Sequence, residues 1–337
     1  MKKIKISTEY FHGCISVETT KKGLKPWRIR ENERLLFPSP NDNFLKQSEQ
    51  TSGVRLRLRT NSKTLVLVVA PTKANRAFDL VSRGDILQTL SLDAGKSQVT
   101  FEGLKGKLST YEIWLDPANS IEVKGFEVEN KSTCSPAKDR RKRWVTYGSS
   151  ITHCSGSLSP ANIWAGVAAR ELDLNLTSLG YGGQCHVDPM MARTIRDTPA
   201  DLISLKLGIN VYGRCSLNDR SFVPALIGTV MTIREKHPKT PILLISPVCS
   251  PQRESKENDV GMTLQIMRTQ MQDAMKRIKK STGDENLFYL SGLKLANASF
   301  AEIYMPDQLH PNGEGYVKMG KHFVKYVPKE IRASLDI

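Results

Sequence analysis

The strongest constraint on how this chain can fold is a switch in the spacing of its apolar residues between the N-terminal and C-terminal parts. In the N-terminal part the period is two: Val54, Leu56 and Leu58 alternate with Arg55, Arg57 and Arg59. Successive strand side chains point to opposite faces, so this pattern predicts a half-buried strand with one wet, arginine-bearing face. Thr60-Asn61-Ser62 offers a turn, and residues 65–69 form the next apolar run. Further strands are expected at 77–81, 98–102, 110–115 and 121–129, parted by turn residues and with no helical pattern among them. Short strands in such succession predict a β-sandwich of jelly-roll kind.

Beyond Arg143 the alternation stops. Residues 144–147, 176–179, 202–207, 242–245 and 287–290 are short continuous apolar runs, as strands covered on both faces require. Helical stretches lie between them. The first has Ser159 as its expected N-cap, Pro160 in its first turn, and Ile163, Trp164, Val167, Ala168 and Leu172 on one face. Others are expected near 189–196, 222–236, 260–279 and 315–327. Strand and helix in alternation predict an α/β unit: a three-layer parallel sheet with helices on both sides. The region 131–143, rich in charge, Ser and Pro, places the boundary. The expected division is a β-sandwich over 1–135, a linker over 136–143 and the α/β unit over 144–337.

Charge and cysteine usage bound the function classes. There are 49 Lys and Arg against 34 Asp and Glu, a formal charge of +15. Such a balance favours anionic partners, but no nucleic-acid module is recognisable, so a solvated lysine-rich surface is the expectation, with no nucleic-acid partner. The densest run, residues 138–143, reads as a solvated linker more readily than as a localisation signal or a phosphate-binding patch. The N-terminus carries no apolar run of the signal-peptide type, and no stretch has the length of a membrane helix. Six cysteines without a CxxC pair read as free thiols, which points to a reducing cytoplasm. His153, Cys154, Cys185, His186, Cys215 and Cys249 follow strand ends but lack the spacing of a known zinc motif. Met262, Met267, Met271 and Met275 read as core packing. Gly180-x-Gly182-Gly183 is not a dinucleotide loop, and neither cofactor nor metal is expected.

In open parallel sheets, ligands sit beyond the carboxyl ends of the strands. Four segments fall there in this chain: Gly148-Ser149-Ser150-Ile151-Thr152, Gly180-Tyr181-Gly182-Gly183-Gln184, Gly208-Ile209-Asn210, and Asp307-Gln308-Leu309-His310-Pro311-Asn312. Each alone is common, as a capping serine or a loop histidine. In this joint order they resemble the conserved blocks of the SGNH (GDSL-like) hydrolases across residues 144–328. The β-sandwich in front is similar, by architecture only, to that of two-domain carbohydrate esterases of the same superfamily.

The resemblance implies a triad of Ser150, Asp307 and His310, and an oxyanion hole from the Ser150 and Gly183 N–H groups and the Asn210 amide. Physical chemistry agrees with those roles. A serine hydroxyl needs an adjacent base. His310 precedes a proline, so its backbone is expected to be extended, and Asp307 can hold the other ring N–H. Glycine suits position 183 if the backbone there must approach a ligand. Two residues depart from the family pattern: Ser149 where aspartate usually precedes the nucleophile, and Val211 where aspartate often follows the asparagine. Ser149 also leaves two adjacent serines to choose between, and the family spacing selects Ser150. The implied activity is hydrolysis of a short acyl ester such as an acetate, on a small molecule or carbohydrate. The alternatives are a lipase, thioesterase or acyltransferase with the same triad, or a carbohydrate-binding protein that has lost turnover.

Overall fold

The structure, a computed structural model, describes residues 1–337, the side chains of 301 and 302 excepted. The N-terminal part is a sandwich of two antiparallel sheets. One runs in the order Ser16–Thr20, Gly23–Trp27, Val123–Val128, Leu65–Val69, Gln98–Phe101, with Lys2–Lys5 also paired to Val123–Val128. The other runs Cys134–Pro136, Arg55–Thr60, Ser109–Leu115, Arg76–Ser82, Asp85–Leu92, with Phe11–His12 also paired to Arg55–Thr60. Leu56, Leu58, Leu65, Leu67, Phe78 and Ile113 are buried between the sheets, as the period-two pattern requires.

The C-terminal part is a five-stranded sheet in the order Asn175–Gly180, Arg143–Gly148, Leu202–Lys206, Ile242–Ile245, Leu287–Leu290, with every pairing parallel. Helices Trp164–Glu171 and Gly313–Tyr326 cover one face, where the Trp144 and Phe323 rings stack at 4.8 Å. Helices Pro189–Arg196, Asp219–Arg234 and Leu264–Thr282 cover the other, with Met262, Met267 and Met271 fully buried in that core.

Three expectations need correction, for one reason: the second sandwich sheet turns its outer face toward the α/β unit. The arginine face of Arg55–Thr60 is not uniformly wet. Arg55 is fully buried and only Arg59 is exposed. Residues 138–143 are not a freely solvated run either. The Asp139 side chain is fully buried, and Arg141 pairs with both Asp139 and Glu112. Ser159 does not cap the turn Pro160–Asn162. Asp79, from the sandwich, accepts the Ala161 N–H at 2.7 Å and the Ser159 hydroxyl at 2.6 Å instead.

The two parts share apolar core as well, since Val81 and Trp114 belong to the same cluster as Trp144 and Trp164. Two buried arginines complete the junction. Arg55 Nη1 donates to the Leu176 carbonyl at 2.8 Å, and Arg28 Nη1 donates to the carbonyls of Ser178 (3.3 Å) and Gly180. These three carbonyls alternate along the strand at the end of the parallel sheet.

Candidate active site

The turn that carries Ser150 is built by close approach. The strand Arg143–Gly148 stops, and the short helix Ser150–His153 starts, within two residues. Ser149 is the N-cap: its hydroxyl accepts the Ile151 N–H at 3.4 Å, and it is buried. Ser150 holds the first helical position, where the N–H has no intrahelical acceptor. A Cβ on Gly148 would lie 2.3 Å from Thr152 Oγ1, and one on Gly180 would lie 2.3 Å from the His153 nitrogen. Only glycine at both positions lets the helix sit this close to the neighbouring strand.

Asp307 and His310 arrive on a loop tied back on itself. The Met305 N–H donates to the His310 carbonyl at 2.7 Å, and the Asn312 N–H to the Ile303 carbonyl at 2.7 Å. The Ser250 hydroxyl donates to the Gln308 carbonyl at 2.9 Å, which anchors the loop to the segment after the fourth parallel strand. Asp307 divides its oxygens. Oδ1 accepts the backbone N–H groups of Leu309 and His310 at 3.0 Å each, and Oδ2 lies 2.5 Å from His310 Nδ1. His310 Nε2 lies 2.7 Å from Ser150 Oγ. A carboxylate can only accept, so Nδ1 carries the ring proton and Nε2 faces the hydroxyl as an acceptor. Burial works to raise the Asp307 carboxyl, but hydrogen bonds from the ring and backbone of His310 and from Leu309 outweigh it, so the group sits below its ordinary range.

The two remaining sequence candidates follow the strands on either side of Arg143–Gly148. Gly183 has φ +68°, a left-handed conformation, and a Cβ added there would meet nothing within 4 Å. Glycine is therefore required by backbone geometry, not by crowding from the protein, which refines the expectation. Its carbonyl is 3.1 Å from His186 Nε2, whose other ring nitrogen is 2.8 Å from Ser216 Oγ. Asn210 follows Gly208, which has φ +113°, in the helix Ile209–Arg214. Its Oδ1 accepts the Cys185 N–H at 3.1 Å, so the amide NH₂ is the end left to donate elsewhere.

Sequence reading did not find the residues that hold these loops from the sandwich side. Gln47 Oε1 accepts the Gly182 N–H at 3.0 Å, beside Gly183. Arg28 also donates to the Gln47 and Gln50 carbonyls and lies 3.3 Å from His153 Nδ1, inside the helix that begins at Ser150. No local pattern announces such contacts, because Gln47 and Gly182, and Arg28 and His153, lie more than a hundred residues apart in the chain. The six cysteines are free thiols. Among the described residues, no group of three or more His, Cys, Asp or Glu could hold a metal ion, and no helix is long and apolar enough to cross a membrane.

With that geometry in place, the chain can be compared with known proteins. A model of the "GDSL-like Lipase/Acylhydrolase family" matches residues 141–328, and one described as "SsfX3, N-terminal domain" matches residues 9–124. No curated protein matches. Among solved structures, the salicylyl-acyltransferase SsfX3 from a tetracycline biosynthetic pathway is 29% identical, with a TM-score of 0.88 over 100% of this chain and 98% of that one. A family two carbohydrate esterase from Clostridium thermocellum in complex with cellohexaose is 16% identical, with a TM-score of 0.65 over 85% and 94%. An acetyl xylan esterase from the rumen bacterium Butyrivibrio proteoclasticus is 14% identical, with a TM-score of 0.65 over 99% and 98%. The last two are likenesses of fold. The family match spans more than half of the chain, including all four strand-end segments: the chain belongs to the GDSL-like lipase/acylhydrolase family and is an enzyme of the esterase class.

Proposed function

We propose that the protein cleaves a short-chain carboxylic ester, carried on a polar alcohol such as a sugar hydroxyl, through Ser150, His310 and Asp307. The observation that carries this reading is the continuous line from Ser150 Oγ to His310 Nε2 (2.7 Å) and from Nδ1 to Asp307 Oδ2 (2.5 Å). In the first step Ser150 Oγ bonds to the acyl carbon and its proton passes to His310 Nε2. Asp307 stabilises the resulting imidazolium. Negative charge on the former carbonyl oxygen is met by the Ser150 and Gly183 N–H groups and the Asn210 amide, each worth about 2.7–4 kcal/mol in related sites. The alcohol then leaves with the proton from Nε2. Water, deprotonated by the same nitrogen, releases the acid and restores Ser150.

A short acyl group fits the surroundings. The side chains of His310 and Asp307 keep 32% and 45% of their exposure. An open site of this kind offers little apolar cover to a long chain. A chain-length series of nitrophenyl esters tests the reading: acetate should turn over fastest, and a preference for octanoate would refute it. The whole-chain likeness to an acyltransferase favours one second reading, in which another hydroxyl replaces water in the last step. Adding a sugar or phenolic acceptor and measuring ester formed against acid released separates the two.

A further inference from the structure

The basic run at residues 138–143 is only partly given over to solvent. It helps to wall a cavity of about 750 Å³ between the sandwich and the α/β unit. This cavity lies by the residues that precede the parallel strands, Arg141 before Arg143–Gly148 and Asp173 before Asn175–Gly180. It is therefore at the end of the sheet opposite Ser150.

Eight of its eighteen lining residues are Lys or Arg, against two carboxylates, Glu112 and Asp173. The chain as a whole has 49 cations to 34 anions, so the imbalance here is far steeper than the average surface. The carboxylates relieve only part of it: of the eight cations, Arg57 and Arg141 are ion-paired. Glu112 is already shared by Arg55, Arg57 and Arg141, and the Asp173 side chain is 84% exposed. Arg59, Arg83, Lys105, Lys138 and Arg140 have no ion pair among the described residues. The Nε–H groups of Arg57 and Arg170 are buried without an acceptor among those residues. Cations on a convex surface can splay apart into water. Held in a concavity with low-dielectric walls, they add to one focused positive potential.

We propose that this cavity binds a compact multivalent phosphate anion: a di- or triphosphate group, free or as the phosphate chain of a nucleotide. Guanidinium forks match phosphate oxygens two at a time, and six of the eight cations are arginines. The walls include no aromatic side chain on which a base would stack, so recognition lies in the phosphate chain. Hydrolysis at Ser150 does not depend on this site.

Calorimetric titration of the full chain with inorganic triphosphate, at low and high ionic strength, tests the proposal. The comparison protein is the triple variant Arg59→Ala/Lys138→Ala/Arg140→Ala, whose three side chains are exposed in the native fold. Saturable binding of one triphosphate is expected, tighter than orthophosphate, weakened by salt and weakened about tenfold or more in the variant. Ester hydrolysis and melting temperature should be unchanged in that variant. Equal affinity for triphosphate and a nucleoside triphosphate supports recognition of the phosphate chain. Binding of the nucleotide without binding of triphosphate, variant-insensitive binding, or binding of duplex DNA alone would each overturn it.

Discussion

At the scale of single residues, the adjacent serines divide two tasks. Ser149 faces inward and caps the helix; Ser150 faces the imidazole. Ser150→Ala is expected to lower kcat by about 10³–10⁶-fold, with only the oxyanion donors and binding left. Ser149→Ala should cost about 1 kcal/mol of stability through the lost cap while keeping most turnover. Steady-state kinetics beside denaturant melts of both variants would decide, and an active Ser150→Ala enzyme would overturn the assignment. A second residue sets a pH dependence. His153 is buried, its Nε2 is 2.7 Å from the Pro117 carbonyl, and burial together with the Arg28 cation lowers its pKa from 6.5 to about 3. Nε2 therefore carries the proton and Nδ1 takes a hydrogen bond from Arg28. The unfolded chain binds a proton there below the ordinary histidine range, whereas the folded chain refuses it down to about 3. Stability is thus lost as pH falls between those limits, with a slope of about 1.4 kcal/mol per pH unit from this group. His12, lowered to about 4 mainly by burial, acts in the same direction. Urea midpoints across this range should fall with pH, and His153→Gln should flatten the dependence; a curve left unchanged by that substitution would refute the role.

At the scale of elements, the site depends on a four-residue helix wedged against a strand. Gly180→Ala would force a Cβ to within 2.5 Å of backbone atoms of Thr152 and His153. Overpacking against backbone costs about 1–3 kcal/mol, and here the helix that must shift carries Ser150, the proposed nucleophile. A lowered melting temperature together with reduced kcat is expected. Unchanged kcat in a folded Gly180→Ala protein would show that the helix position is not critical. The parallel strands were legible in the sequence because continuous apolar runs leave few alternatives, and the four loops followed from where those strands end. The strand Asp85–Leu92 was not legible: Leu87 is 47% exposed, which blurs its alternation. Nor was the short helix Asn43–Ser48, which brings Gln47 to the Gly182 loop. The strand pairs with its immediate neighbour Arg76–Ser82, whereas the helix owes its place to a partner distant in sequence. The same holds for Arg55, whose position in an alternating strand is that of a solvated residue but whose face is covered by another part of the fold.

At the scale of the whole molecule, the sandwich and the α/β unit act as one stability unit in our reading, since they share apolar core, a helix cap and a buried charge cluster. A single calorimetric transition is expected. Glu112→Gln, which would leave three arginines short of a counter-charge, should lower stability by about 3–5 kcal/mol across both parts together. Two separate transitions, with only the first shifted by Glu112→Gln, would contradict this. The arginines that reach the carbonyls of Leu176, Ser178 and Gly180 have a further consequence, for the protein's behaviour in company. The strand Asn175–Gly180 terminates its sheet, and an uncovered terminal strand offers a ladder of acceptors to any passing chain. Most folds blunt such an edge with charge, a bulge or a covering segment. Here two guanidinium groups occupy the ladder directly, and being donors only, they present no new edge for a stranger to extend. Stripped of its first unit, the parallel sheet would be a seed for strand-to-strand aggregation; with that unit attached, its outermost rung is closed.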